Sequence, residues 1–163
     1  MNINLLPVNT EPESGTGSMP RGLNAAFGSQ AAGIEAIGSV LTTLAAVQGP
    51  VPWQPHWAMT EDDLPVGLCG FKGDLKTDRS VEIAYFTFPP FEGRGVATAM
   101  VRAMNRIAWN HGAAAVEART LPERNGSVVA LERNGFEFVG EADDPEDGAV
   151  WVWRAQIPPS TAS

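Results

Sequence analysis

Cysteine, histidine and tyrosine are nearly missing from this chain: its 163 residues hold one cysteine, two histidines and one tyrosine. A single cysteine, Cys69, excludes an internal disulfide and fits a reducing compartment, where a buried core thiol is the ordinary role. His56 and His111 stand far apart with no Cys/His/Asp cluster at ligand spacing, so no metal is expected. Basic residues are short as well. Eleven Lys and Arg against nineteen Asp and Glu leave a net charge of −8, which opposes nonspecific binding to nucleic acid or an anionic membrane and suits a cationic partner such as an amine. Long apolar runs do not occur. The first six residues have neither the basic nor the apolar region of a secretory signal, and the apolar stretch 30–47 is broken by Gly33, Glu35, Gly38 and two threonines. Cytoplasmic residence is therefore the default expectation.

What is present is a chain of ordinary globular composition, 44% hydrophobic and 18% charged, long enough for one domain with a sizeable core. We read residues 1–163 as a single domain. Residues 11–20, a Ser/Gly/Glu/Pro stretch, form a loop, and residues 156–163 form a loose C-terminal tail. After a short first strand, Ser29 is placed to cap a helix over 30–47, where Ile34, Ile37, Leu41 and Leu44 share one face. Strands are expected at 56–59 and 66–71, joined by a turn at 60–63.

The informative stretch is 81–112. Val81 to Phe88 is rich in β-branched and aromatic residues and is stopped by Pro89 and Pro90. From Val96 the apolar positions take helical spacing, with Ala97, Val101, Met104 and Ala108 on one stripe, and His111-Gly112 ends the helix. Between strand and helix lies Glu92-Gly93-Arg94-Gly95-Val96-Ala97. Small residues there let a ligand approach the backbone, and the first amides of a helix lack carbonyl partners, which makes the turn suited to an anion. Neither nucleotide motif fits. A dinucleotide fingerprint would need glycine where Thr98 stands, and a P-loop would need Gly-Lys-Ser/Thr. Further along, 114–119 reads as a strand, 125–134 as a short helix closed by Gly135, and 136–140 with 150–154 as a hairpin across an acidic loop at 141–148.

The glycine turn resembles the acyl-CoA loop of the GNAT N-acetyltransferases, Gln/Arg-x-x-Gly-x-Gly/Ala, with Gly95 and Ala97 matching and Glu92 departing. The segment Thr120-Leu121-Pro122-Glu123-Arg124-Asn125-Gly126-Ser127 followed by Leu131-Glu132-Arg133-Asn134-Gly135-Phe136 is similar to a second motif of that family, in the branch that acetylates ribosomal-protein N-termini. The two motifs together span about 81–140. The resemblance implies an α/β fold of GNAT type: a mixed, mostly antiparallel central sheet with a parallel, splayed strand pair, flanked by helices.

It also implies an activity, transfer of an acetyl group from acetyl-CoA to a primary amine of a small molecule or a protein N-terminus by direct attack on the thioester. The residues it assigns to acetyl-CoA are Gly93, Arg94, Gly95, Val96 and Ala97 at the diphosphate, Thr87 and Phe88 along the pantetheine arm, and Asn125. Family members often carry a tyrosine four residues before the Gly-Phe pair to protonate the thiolate, where this chain has Leu131. In the branch it most resembles, a serine at the position of Ser127 is implicated instead. For the base, the residues offer Glu82 first and Glu117 as an equal rival, each on a strand with apolar neighbours. An oxyanion donor is expected among the main-chain N–H groups of 86–88.

The plainer roles stay open beside these. Glu82 and Glu117 also suit paired sheet carboxylates, Ser127 a first-turn hydroxyl, and Arg102 and Arg106 a solvated helix face. Trp151 and Trp153 suit packing in the core or across a homodimer. The alternative to an enzyme is a noncatalytic acyl-CoA-binding module of the same fold.

Overall fold

The computed structural model describes residues 2–7, 52–62, 64–145 and 148–156. The loop read at 11–20 and the helix read at 30–47 lie outside the described residues, as does the tail beyond 156. In chain order the described elements are strand β1 (Asn4–Pro7), strands β2 (His56–Met59), β3 (Pro65–Phe71) and β4 (Ser80–Thr87), helix α1 (Val96–Asn110), strand β5 (Ala115–Thr120), helix α2 (Gly126–Arg133), and strands β6 (Glu137–Asp144) and β7 (Gly148–Gln156). The strands join one seven-stranded sheet in the order β1-β2-β3-β4-β5-β7-β6. Every neighbouring pair is antiparallel except β4 and β5, which run parallel with α1 as their connection. A parallel pair needs a crossover of a dozen or more residues, and α1 supplies it.

Period-two alternation assigns each strand residue a face. Cys69, Phe71, Val81, Ile83, Val116 and Ala118 fall on the face covered by α1 and α2 and share one core with Met100, Val101, Met104 and Leu131. The buried stripe of α1 comprises Val96, Met100, Val101, Met104 and Ala108, fully or almost fully removed from water. Ala97 stands half exposed beside it rather than within it. Each of these valine and methionine side chains contributes roughly 1.5–3 kcal/mol by burial, so the amphipathic pattern, more than any capping side chain, holds α1 down. Gly67 sets how closely α1 sits: a Cβ there would lie 2.8 Å from the Phe86 carbonyl oxygen and 2.9 Å from Met100 Sδ. The opposite face buries Trp57, Leu68 and Phe88, with Trp57 and Phe88 in an edge contact at 6.4 Å.

Two expectations need correction. Residues 141–144 are strand rather than acidic loop: β6 and β7 pair from Glu137↔Arg154 to Asp144↔Gly148. Glu141 and Asp143 share an exposed face of this edge strand and Asp144 meets Arg119, so their charge does not forbid pairing with β7. Gln156 is likewise not tail, since it closes β7 opposite Ala115. Trp153 packs in the core, while the half-buried Trp151 contacts it and Phe138 edge-on. His56 is buried on β2, and burial lowers its imidazole below the usual histidine range against an opposing backbone hydrogen bond at Gln54.

Candidate active site

The site begins where the parallel pair stops pairing. Register partners run from Ser80↔Ala115 to Ile83↔Ala118, and beyond them β4 continues to Thr87 along β3 while β5 continues to Thr120 along β7. The two strands have therefore parted by Ala84. Main-chain groups on a strand point alternately left and right. Glu82 and Phe88 are bonded toward β3, through Lys72 N–H to the Glu82 carbonyl and Phe88 N–H to the Val66 carbonyl. By alternation the N–H and C=O of Tyr85 and Thr87 are directed at the gap. The oxyanion donor expected among 86–88 narrows accordingly, because Phe86 and Phe88 face β3 and Thr87 does not.

Above the gap, on the helix face, opens a cleft of about 680 Å³ lined by β4 at Tyr85, Phe86 and Thr87, by the turn at Gly93 and Gly95, and by the first turns of α1 and α2. That size suits a cofactor or drug-sized ligand. Gly95 caps α1 with φ +83°, a left-handed conformation that costs a residue with a Cβ about 1–2 kcal/mol, and as a glycine it gives the amides that follow no side-chain cap. The first helical bond goes from Ala99 N–H to the Gly95 carbonyl. The N–H groups of Val96, Ala97 and Thr98 thus end the helix facing the cleft, carrying the partial positive charge of the macrodipole. α2 is capped differently. Asn125 Oδ1 accepts from Ser127 N–H at 3.0 Å and Val128 N–H at 3.2 Å, which fixes the helix start at the cleft wall.

A family model for the GNAT acetyltransferase domain matches residues 29–137. The chain belongs to the GNAT acetyltransferases. No curated protein matches the sequence. Among solved structures, a GNAT-family acetyltransferase from Bacillus anthracis aligns over 63% of this chain and 65% of its own, at 15% identity and TM-score 0.55. This chain thus spans just under two thirds of the length of that protein. The acetyltransferase from Salmonella typhimurium that modifies the N-terminal serine of ribosomal protein L7/L12 aligns over 77% of this chain and 76% of its own, at 15% identity and TM-score 0.58. The aminoglycoside acetyltransferase AAC(6′)-Ib, solved with coenzyme A and kanamycin, aligns over 72% and 70%, at 23% identity and TM-score 0.57.

Against this GNAT frame the sequence-predicted residues divide cleanly. Thr87, Gly93, Gly95, Val96, Ala97, Asn125 and Ser127 all line the cleft. Phe88 does not: it is fully buried, and its N–H is spent on Val66. Arg94 turns from the cleft and lies over the Phe91 ring at 5.8 Å. Among the described residues the cation that lines the cleft is Arg133 of α2. Its place was readable in the spacing of Asn125, Val129 and Arg133, four apart and so on one helix face, but only once that face was known to meet the cleft.

Glu82 and Glu117 leave the sheet on the face opposite the helices and join a charged layer. Glu82 meets Lys72 at 3.1 Å and Arg119 at 3.7 Å, and Glu117 meets Arg154 at 2.6 Å and Lys76 at 3.6 Å. Arg119 continues to Asp144 at 3.3 Å. Both carboxylates therefore stand among cations rather than among apolar neighbours. Leu131 is fully buried in the core. Tyr85, which the sequence reading passed over, lines the cleft, and its hydroxyl donates to the Ser127 carbonyl at 3.1 Å. Among the described residues no group of three or more His, Cys, Asp or Glu side chains could hold a metal, and no helix is long and apolar enough to cross a membrane.

Proposed function

We propose that this protein is an acetyl-CoA-dependent N-acetyltransferase acting on a cationic primary amine, of a small molecule or of a polypeptide N-terminus. The observation that carries the reading is the parting of β4 from β5 directly beneath the uncapped start of α1. One ligand shape answers both features: an anionic diphosphate on the amides of 96–98, and an amide-bearing arm that adds to the open edge of β4 as an extra strand does. Acetyl-CoA has both parts. Thr87, Gly93, Gly95, Val96, Ala97 and Asn125 would hold it, with Arg133 replacing Arg94 as the cationic contact.

The gap joins two faces of the sheet, and this arrangement suits direct attack. The thioester would lie in the gap with an N–H of the β4 edge on its carbonyl oxygen. The acceptor amine would arrive from the face that carries Glu82, our first choice for a base acting through water, with Glu117 the rival one strand away. The sulfur would leave toward Ser127 on the helix face. Support for an amine acceptor is the net charge of −8, which attracts cations, together with the aminoglycoside and protein N-terminal substrates of the two structural neighbours named above. The second reading, a noncatalytic acyl-CoA-binding module, gains from Leu131, a buried apolar side chain where the family resemblance would place a tyrosine hydroxyl.

The test is calorimetric titration with acetyl-CoA, then thiol release over a panel of aminoglycosides, polyamines and short peptides with free N-termini. Binding with turnover of at least one amine is expected. Binding without turnover of any would favour the module. On the wild-type background, Ser127→Ala should lower kcat about 10-fold or more with acetyl-CoA affinity within about twofold, because a hydrogen bond made to charge developing on sulfur acts in the transition state.

A further inference from the structure

The leaving sulfur needs a hydrogen-bond donor, and Leu131, apolar and buried, offers none at the helix position from which the family resemblance would supply one. Among the described residues four that carry a hydroxyl line the cleft, Tyr85, Thr87, Thr98 and Ser127. Tyr85 is the only tyrosine in the chain. It stands on β4 where the main chain faces the gap, and its side chain leaves toward the helices, in register with Cys69 of the core face. Its hydroxyl reaches across to α2 and donates to the main-chain oxygen of Ser127 at 3.1 Å. The phenol thus bridges the two walls between which the thioester would pass.

The bond it makes there is dispensable to its acceptor. Ser127 is the second residue of α2, so its carbonyl also receives the N–H four residues on, from Leu131, by helix geometry. The phenol can turn away without orphaning a buried carbonyl. Burial pushes the phenol above the usual tyrosine range, with the contact to Ser127 pulling the other way, so the group keeps its proton at working pH. A group that always carries a proton can donate a hydrogen bond at every turnover.

Building on the acyltransferase reading, we propose that Tyr85 is a catalytic residue that donates a hydrogen bond to the departing thiolate beside Ser127. As the N–C bond forms and the C–S bond breaks, the electron pair of the broken bond passes to sulfur. The acceptor reacts as the neutral amine, its ammonium proton already lost to the base or to water; the attacking nitrogen then sheds one proton and the sulfur takes up one, with no further reactant. Tyr85 holds the sulfur by its hydroxyl hydrogen while the charge develops and returns to the Ser127 carbonyl when the thiol leaves.

The experiment measures wild type and Tyr85→Phe with hydroxylamine, a small nucleophile that needs no acceptor pocket, against two acetyl donors: acetyl-CoA and an acetyl aryl thioester. An aryl thiolate leaves without such help, so Tyr85→Phe should lose at least tenfold in kcat with acetyl-CoA and less than threefold with the aryl ester. Acetyl-CoA affinity by calorimetry should stay within twofold. An equal loss with both donors would mean a packing role only, and kcat within twofold of wild type with acetyl-CoA would overturn the proposal outright. Wild-type protein that binds no acetyl-CoA, or binds it without releasing thiol, would instead overturn the acyltransferase reading and this inference with it.

Discussion

Glu82 and Glu117 stand directly opposite each other on the two parallel strands, one pair before those strands part, and their carboxylates are answered by different arginines, Arg119 and Arg154. Like charges facing across a strand pair repel. Lys72 and Lys76 complete the neutralisation, one on each carboxylate. The row thus fastens β4 to β5 at the point where the sheet is about to open.

Replacing these two glutamates separates fastening from catalysis. Glu82→Gln is expected to depress the amine-acetylation rate by about 100-fold near neutral pH, with partial recovery as rising pH deprotonates the acceptor without help. Glu117→Gln is expected to keep the wild-type pH profile while lowering Tm by about 2–4 °C, as about 1 kcal/mol does for a domain of this size. Full pH–rate profiles of both variants decide it, and the reverse pattern would pass the role of base to Glu117.

At the start of α1, Gly95→Glu should abolish measurable acetyl-CoA binding, since its carboxylate would meet the diphosphate at the amides of 96–98. The positive φ of Gly95 adds a strain that any side chain would bring, so Gly95→Ala is the control. It should cost about 1–2 kcal/mol of stability with a much smaller loss of affinity. Calorimetry and thermal denaturation on both variants, giving equal affinity losses, would point to strain rather than to charge.

Asn125 combines a cap with a proposed ligand contact, and two substitutions divide them. Asn125→Ala removes the acceptor for the N–H groups of Ser127 and Val128, a loss of about 1 kcal/mol. Asn125→Asp keeps that acceptor but replaces the amide donor by a negative charge. Its stability should match wild type, while its acetyl-CoA affinity should fall at least tenfold.

His56 predicts a pH dependence of folding. Its pKa is lowered in the folded state, so the unfolded chain binds more protons and stability falls as pH drops below about 6.5, the unfolded value. The decline continues until the folded-state pKa is reached, and above about 7 the contribution is complete. His56→Gln should flatten that part of the stability curve in chemical denaturation between pH 7 and 5. An unchanged slope would assign it to other groups.

Much of this architecture was legible in the residues themselves. Alternation over 81–88, helical spacing from Val96 and the Gly135 stop after the helix read at 125–134 are local properties, set by neighbours within a few positions. They sufficed for the element order and the glycine turn, while the residues expected at the cofactor came from the resemblance to the GNAT motifs. The parallel placement of β4 and β5 also followed, because a helix between two strands permits few other connections.

Tertiary structure alone decided which of those residues face one another. Whether the main chain of Tyr85 or Phe86 opens onto the gap depends on which neighbour β4 keeps and which it loses beyond Ile83. The apolar flanks of Glu82 and Glu117 say nothing of Lys72, Arg119 and Arg154, which arrive from the turn after β3 and from β5 and β7 to neutralise them. Tyr85 and Ser127 are 42 residues apart in the chain. No periodicity reaches that far, since contacts at such separation follow from strand order and helix packing, which the whole core sets at once.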